Sequence, residues 1–583
     1  MTFRSPSYLP SLEESQIPDD VALCDFVFDE RYGRSPMSQS KDAFTCGLTG
    51  RSISAVDQKK RVNLLARALS RELGWNVNEG TEYDKVVGIF ALNTIDIMTL
   101  NWAIHRVNGI SSPANAAYSV QELRHQLVYS KCKALFTVMP LLPTALEAAR
   151  LAGIPTHRIF LCDMPGHTTS TQYKSLEQLI NEGGQLADLE PLRWTKGQGA
   201  RQTAFLCYSS GTSGLPKAVM ISHRNVITNT LQTTLFEKSS RAQIGSTYRD
   251  VALGLLPQSH IYGLVIIAHA STYRGDQVVV LPNFELKSFL NAIETYKIST
   301  LYLVPPIAIT MANNPDLLQK YDMSSVRQIF CGAAPLAKEI TDELNRRHPS
   351  WKIRQAYGLT ESCTVVSSTD PSDIWPGSSG VLIPGWEAIL QDTETGKIIT
   401  AYDEAGEILV KSPAVVLGYL GNEKATKETF VDLPQGRFLR TGDKGEFRLA
   451  PNSGNAHLWI VDRIKELIKV KGNQVAPAEL EACLLNHPAI SDCAVTSVPD
   501  ARSGEVPKAY VVKSQAALAS GSTDEELRKD ILEYVQKEKA RFKWITGGVE
   551  FLDAIPKSPS GKILRRLLRD LEKNRRTASG PKI

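Results

Sequence analysis

Hydrophobic and polar positions follow two rhythms along this chain, and the change of rhythm divides it. From Val62 to about Val280, VNLLARALSREL repeats its apolar positions every three to four residues, KVVGIFAL is an apolar run of strand length, and TIDIMTLNWAIHRVN returns to the helical period. Strand then helix, repeated, predicts a doubly wound sheet. KALFTV, TAFLCYSS, QVVVLP, TLYLVP and QIFCGA continue the series, each ending in small or polar residues. Loops at the carboxyl ends of parallel strands are where such sheets hold ligands. After about Gly380, GWEAILQDTETGKIIT, GEILVKS, RFLRTGD and KGEFRLA read as short strands between Gly and Pro turns, which predicts an antiparallel or barrel-like subdomain. Beyond VDRIKELIKVKGNQ, the helical PAELEACLLNHP and DEELRKDILEYVQKEKA and the strand-like DCAVTSVP and KAYVVK form a smaller α+β unit. The expected architecture is therefore a large α/β domain over residues 1–462, a boundary at 463–465, and a small α+β domain over 466–583, with no internal repeat.

Composition narrows the function. A chain of 583 residues exceeds one ordinary core. Its 66 Lys and Arg against 62 Asp and Glu leave +4, too little for nucleic-acid binding through a chain-wide field. The basic run from Lys557 to Lys582 reads as a solvated helix face, Lys562 excepted. Nine scattered cysteines without a C-x-x-C pair fit buried thiols in a reducing compartment, not a disulfide or zinc framework. The N-terminus has no apolar signal core, and the longest apolar stretches, such as IYGLVIIA from Ile261, are far shorter than a membrane span. A soluble enzyme is expected.

The richest stretch is YSSGTSGLPKAVMISHRN, Tyr208 to Asn225. A strand runs into a loop of Ser209, Ser210, Gly211, Thr212, Ser213 and Gly214, followed by a helical segment. Glycines let backbone N–H groups approach an anion, hydroxyls add donors, and Lys217 supplies a point charge, which together suit a polyphosphate. A flexible Gly/Ser turn is the plainer reading of the loop alone. It is not a Walker A loop, since G-x-x-x-x-G-K-[ST] is absent.

Five further runs stand in order: GAAPL from Gly332, QAYGLTES from Gln355, LRTGD ending at Asp443, VDRIKELIKVKGNQVAPAELE from Val461, and PKSPSGKILRR from Pro556. With the Ser/Gly loop they make the chain resemble, over nearly its whole length, the adenylate-forming superfamily of AMP-binding enzymes, most closely its 4-coumarate:CoA ligase-like branch. The resemblance implies an acyl-CoA ligase using ATP, Mg²⁺ and coenzyme A. It puts the phosphates on Ser209 to Gly214 and Lys217, with Thr212 among the catalytic groups. Gly332, Ala333, Ala334, Gln355, Ala356, Tyr357 and Gly358 would surround the adenine, Tyr357 offering a flat face. Thr360 would contact phosphate and Glu361 would hold the metal, a carboxylate being the right ligand for a hard cation. Asp443 would take the ribose hydroxyls, with Arg463 beside it. His260 would lie near the reacting carboxylate, and Tyr262, Gly263, Cys363, Thr364 and Val365 would line the acid pocket. Lys562 would serve adenylation; Lys469, Gly472 and Gln474 would serve thiolation after the small domain pivots at Lys465. Taken singly, Asp443 reads as an Asx residue at a strand end, His260 as a core histidine, Glu361 as a surface acid, and Lys465 with Lys469 as one charged helix face.

The chain departs from the plant phenylpropanoid ligases, which carry T-E-A-G-P, by having Cys363 and Thr364 where glycine and proline stand. A medium-chain, aryl or polyketide-like acid is then as open as 4-coumarate. Ile261 replaces the aspartate with which amino-acid adenylation domains hold an ammonium group, and no carrier segment follows Lys562. A luciferase-like adenylating oxygenase and a non-catalytic nucleotide-binding protein are the rival classes. The final Pro581-Lys582-Ile583 is a degenerate form of the S-K-L tripeptide read by the peroxisomal import receptor, so a peroxisomal or cytosolic location is expected.

Overall fold

A computed structural model describes residues 1–167, 172–209, 216–471, 473–500, 502–558 and 561–578. Four sheets organise them. In the seven-stranded sheet, Thr203–Ser209, Ile110–Ala114, Val86–Phe90, Ala134–Thr137 and Ile159–Leu161 run parallel, and Lys217–Ser222 and then Gly418–Tyr419 close one edge antiparallel. Val86–Phe90 is buried at every position, as a parallel strand covered on both faces must be. One cover is the helix Ala55–Leu73, begun by Ser54, whose side chain accepts from the Asp57 N–H, and ended by Gly74 at φ 68°. The nine-stranded sheet runs parallel from Lys352–Leu359 through Gln328–Cys331, Thr300–Leu303, Val251–Gly254 and Gln277–Val280 to Phe44–Cys46, with antiparallel strands at both ends. The doubly wound expectation holds.

The antiparallel expectation past Gly380 also holds, with one change. RFLRTGD and KGEFRLA are a single strand, Gly436–Leu449, in a six-stranded sheet that the chain's own Phe3–Arg4 edges. Gly442 at φ 71° and a register shift at Lys444/Gly445 bend this strand instead of ending it. Asp443 is therefore a ladder residue opposite Arg463, not a turn residue. A second change is at the Ser/Gly loop. Ser209 and Lys217 are cross-strand partners, so the strand Lys217–Ser222 returns along Thr203–Ser209 and separates the loop from the helix His223–Ile244. The apolar run after His260 winds as a π-helical segment, Tyr262–Ala270.

The fourth sheet, five strands between Ile468 and Phe551, belongs to the small unit, which has its own core of Ile468, Leu480, Val495, Val511, Ile531 and Val535. No helix spans Lys465 to Lys469: Lys469 sits on the strand Ile468–Val470, so the charged-helix-face reading fails. The basic tail is also more than a solvated face. Arg565, at the start of the helix Arg565–Ala578, bonds Glu466 and Glu481 at 2.6 Å each, and Lys557 bonds Asp492 at 2.6 Å. All nine cysteines are buried and free. No helix among the described residues is long and apolar enough to cross a membrane.

Candidate active site

The carboxyl ends of the parallel strands and the edge of the antiparallel sheet converge on one cluster. Glu361 follows the strand Lys352–Leu359, where a turn closed by the Cys363 N–H on the Thr360 carbonyl (3.1 Å) carries Thr360 and Glu361 outward. Its Oε1 accepts from the Ser209 hydroxyl and from the Tyr419 hydroxyl, both at 2.9 Å. The Lys217 ammonium stands 4.6 Å from the Tyr419 ring centroid. Ser209, the acid, the tyrosine and the lysine thus meet. Ser210, Gly211, Thr212, Ser213 and Gly214 lie outside the described residues.

Beside them, Gly332, Ala333 and Ala334 follow the strand Gln328–Cys331, with Ala333 at a left-handed φ of 69°. Gln355 Oε1 accepts from the Leu336 N–H at 2.8 Å and pins this loop. Ala356, Tyr357 and Gly358 continue the adjacent strand. The Tyr357 hydroxyl donates to Asp443 Oδ2 at 2.7 Å, and Arg463 Nε lies 3.6 Å from Oδ1. Burial pushes the Asp443 carboxyl up, against the pull of Arg463, the Tyr357 hydrogen bond and Lys562.

Lys562 enters this cluster from the small unit. A tight loop, with the Lys562 N–H on Ser558 Oγ (3.1 Å) and the Ser558 N–H on the Lys562 carbonyl (2.8 Å), presents it. Gly561 at φ 79° lets the loop press on Val304 and Pro306: a Cβ there would stand 3.1 Å from Pro306 Cδ and 3.2 Å from Val304 Cγ2. Burial first, and the Arg463 charge second, bring the Lys562 ammonium down to about 8, while Glu466, Asp443 and Glu361 pull the other way. His260 feels it too: burial and then the Lys562 charge bring its imidazole to about 4, so it is neutral at pH 7. Its Nδ1 accepts from the Tyr262 N–H at 3.3 Å.

The expected acid wall is built around strain. Tyr262 and Gly263 open the π-helical segment, and the Tyr262 hydroxyl donates to the Phe330 carbonyl at 2.7 Å. Cys363 (0% exposed) and Thr364 have φ of 52° and 107°. A β-branched residue at positive φ is a true outlier. Thr364 is held there by its hydroxyl on the Ile261 carbonyl (3.3 Å), and Val365 by Asn229, which accepts from its N–H (3.3 Å) and donates to its carbonyl (2.8 Å).

Ser209, Lys217, Glu361, Tyr357, Asp443, Arg463, His260 and Lys562 are thus brought together. Lys469 and Gln474 are not: both are exposed, and Gln474 Oε1 accepts from Lys444 Nζ at 2.9 Å. Gly472 lies outside the described residues. Lys465 is exposed in the turn after Arg463. Sequence reading missed Tyr419, whose partners are distant in the chain and whose Gly418-Tyr419 signal is too short to interpret alone. It also missed the buried ion pair at 2.9 Å between Glu237 and Arg354, the latter on the strand that carries Tyr357.

Two family models match the chain: the AMP-binding enzyme over residues 34–420 and the AMP-binding enzyme C-terminal domain over residues 479–562. The chain belongs to the AMP-binding enzyme family. The acyl-CoA ligase easD of Emericella nidulans is 41% identical over 574 residues, which cover 98% of this chain and 100% of the relative. The acyl-CoA ligase AFT1-1 of Alternaria alternata is 40% identical over 98% of this chain and 97% of its own. Among solved structures, the anthranilate CoA ligase AuaEII with anthranoyl-AMP is similar at a TM-score of 0.78 and 24% identity, covering 97% of this chain and 99% of that one. ATP-bound MatB from Rhodopseudomonas palustris gives 0.77 at 24%, covering 95% and 99%. At these identities the likeness is one of fold.

Proposed function

We propose that this protein joins a free carboxylic acid to coenzyme A in two steps at the cluster around Lys562. It is an acyl-CoA ligase of the AMP-binding family, forming an acyl-adenylate with release of pyrophosphate and then an acyl-CoA with release of AMP. The observation that supports the residue assignment most directly is the seating of the Lys562 loop of the small unit on the large one, Gly561 against Val304 and Pro306, near enough that Arg463, Asp443, Glu361 and His260 share its electrostatic surroundings.

In the first step an oxygen of the acid's carboxylate bonds to the α-phosphorus of ATP and the bond to the bridging oxygen of pyrophosphate breaks. Two anions meet, so positive charge aimed at the reacting phosphate is the main requirement. Lys562 and Arg463 supply it there, and Lys217 does so at the departing pyrophosphate. Neutral His260 orients the acid without adding charge, Tyr357 and Gln355 frame the base, and Asp443 takes the ribose hydroxyls. Glu361 suits Mg²⁺: both of its hydroxyl donors fall on Oε1, and no described side chain donates to Oε2. A hard cation bound to one carboxylate, water and phosphate would neutralise developing charge. In the second step the sulfur of coenzyme A attacks the acyl carbon and AMP leaves, so none of the nine buried cysteines is needed. Lys469, Gly472 and Gln474 are proposed for this step, after the small unit (466–583) turns on the large one about Lys465.

The test is a panel of medium-chain, aryl and polyketide-type acids, scored for acid-dependent pyrophosphate release and for thioester. Thioester from at least one acid is expected. ATP binding without acid-dependent pyrophosphate would leave a nucleotide-binding protein, and light with ATP and O₂ would mark an oxygenase. Pro581-Lys582-Ile583, outside the described residues, supports peroxisomal import through the import receptor. A reporter carrying this tail should become punctate, and a diffuse reporter in import-competent cells would reject it.

A further inference from the structure

Tyr419 belongs to a two-residue strand, Gly418–Tyr419, laid antiparallel on the strand that begins with Lys217. From there one side chain touches both charged ends of the phosphate site. Its hydroxyl donates to Glu361 Oε1 at 2.9 Å, and its ring faces the Lys217 ammonium at 4.6 Å. The Val416 N–H, three residues earlier, donates to the Glu361 carbonyl at 3.1 Å, so the same segment grips Glu361 at backbone and side chain. Among the described residues no ion pair joins Lys217 to Glu361.

We propose that Tyr419 is a positioning residue that holds the Glu361 carboxylate and the Lys217 ammonium apart and in place before ATP arrives. This rests on the assignment of Glu361 and Lys217 to the metal and phosphate ends of the nucleotide. Without the tyrosine that touches both, the carboxylate and the ammonium would attract one another and cancel. A ring face attracts the ammonium without consuming any of its three donors, which stay free for phosphate oxygens. The hydroxyl occupies Oε1, together with Ser209, and turns Oε2 toward a cation. A phenol keeps its proton at neutral pH, so the Tyr419 hydroxyl remains a donor to Glu361. Fixing both groups beforehand removes ordering cost from ATP binding.

Tyr419→Phe removes the hydroxyl and keeps the ring, whereas Tyr419→Leu removes both. Calorimetry on the full-length protein, without acid or coenzyme A, would give the dissociation constants of ATP with excess Mn²⁺ and of ATP with chelator. A hydrogen bond to a charged group is worth about tenfold or more in affinity. Tyr419→Phe should therefore weaken Mn²⁺–ATP about tenfold and leave metal-free ATP within about twofold. Tyr419→Leu should weaken both. In a Glu361→Gln background Tyr419→Phe should have no further effect, since the two act through one contact. Unchanged Mn²⁺–ATP affinity in Tyr419→Phe would overturn the proposal, as would equal weakening of both forms of ATP or losses that add in the double variant. These measurements use no acid, so they decide Tyr419 even if the acid panel gives no thioester.

Discussion

Lys562 must carry charge in a place that disfavours charge. Its value of about 8, against an ordinary 10.5, means that part of its protonation is lost within the working pH range. Adenylation should fall as pH rises through about 8, with the break seen in kcat/KM, which reports the free enzyme. ATP adds negative charge, so the break in kcat should lie higher. Stability moves the other way. Between about 8 and 10.5 the unfolded chain binds the proton that folded Lys562 has released, so this group makes the fold more stable as pH rises across that window. Pyrophosphate release measured from pH 6.5 to 10 checks the first claim; an identical break in the residual activity of Lys562→Gln would assign it to another group. Cys363 and Thr364 pose a conformational question. Proline requires φ near −65°, which the 107° of Thr364 forbids. Thr364→Pro should therefore cost more than about 1 kcal/mol. Cys363→Gly, at 52°, should fold normally and change the ranking of acids. A wild-type melting temperature for Thr364→Pro would show that this backbone is not fixed as described.

The hairpin of Lys352–Leu359 and Thr364–Ser368 carries Gln355, Tyr357, Glu361 and Cys363, and it leaves no room for a side chain at Gly358, where a Cβ would lie 1.6 Å from the Thr364 carbonyl oxygen. Gly358→Ala must push the strands apart, at about 3 kcal/mol. It should lose adenylation along with stability, read by thermal melting beside pyrophosphate release; a variant that melts normally yet is inactive would point to direct contact with the nucleotide instead. Most elements of this kind were legible. Val86–Phe90 is apolar throughout because both of its faces are covered, and the apolar period from Val62 to Leu73 marks a helix that begins seven residues earlier, at Ala55 behind the Ser54 cap. What the sequence did not disclose depends on partners far along the chain. Gly442 looks like a turn until Arg463 pairs with Asp443 across the bulge. Lys217–Ser222 merges with the loop before it until Ser209 is seen opposite Lys217. The site was legible through its motifs, but the motifs name groups singly. They did not reveal that Tyr419 links two of them, because a Gly-Tyr pair has no meaning before the strand it lies against is known.

Lys562 and Lys469 belong to one small unit, yet only Lys562 is in the cluster. Lys469 is exposed, and Gln474 is held by Lys444, the neighbour of Asp443 on its strand. Across the boundary itself, Asp462 Oδ2 accepts from the Ala478 N–H at 3.0 Å. On the proposed assignment this arrangement serves the first step, and the small unit would leave these contacts and turn for the second. Loss of a donor aimed at developing charge costs roughly 3 to 4 kcal/mol, about a hundred- to a thousandfold in rate. Lys562→Ala should lose that much in pyrophosphate release yet still convert supplied acyl-adenylate and coenzyme A to thioester. Lys469→Ala should show the reverse. Lys465→Pro, which fixes φ at the proposed pivot, should slow thioester formation more than adenylation. Both half-reactions would be followed in single turnovers, with melting temperatures confirming that each variant is folded. Equal losses in the two half-reactions for folded Lys562→Ala would mean that one arrangement of the two units serves both steps, and the turn about Lys465 would then have no role.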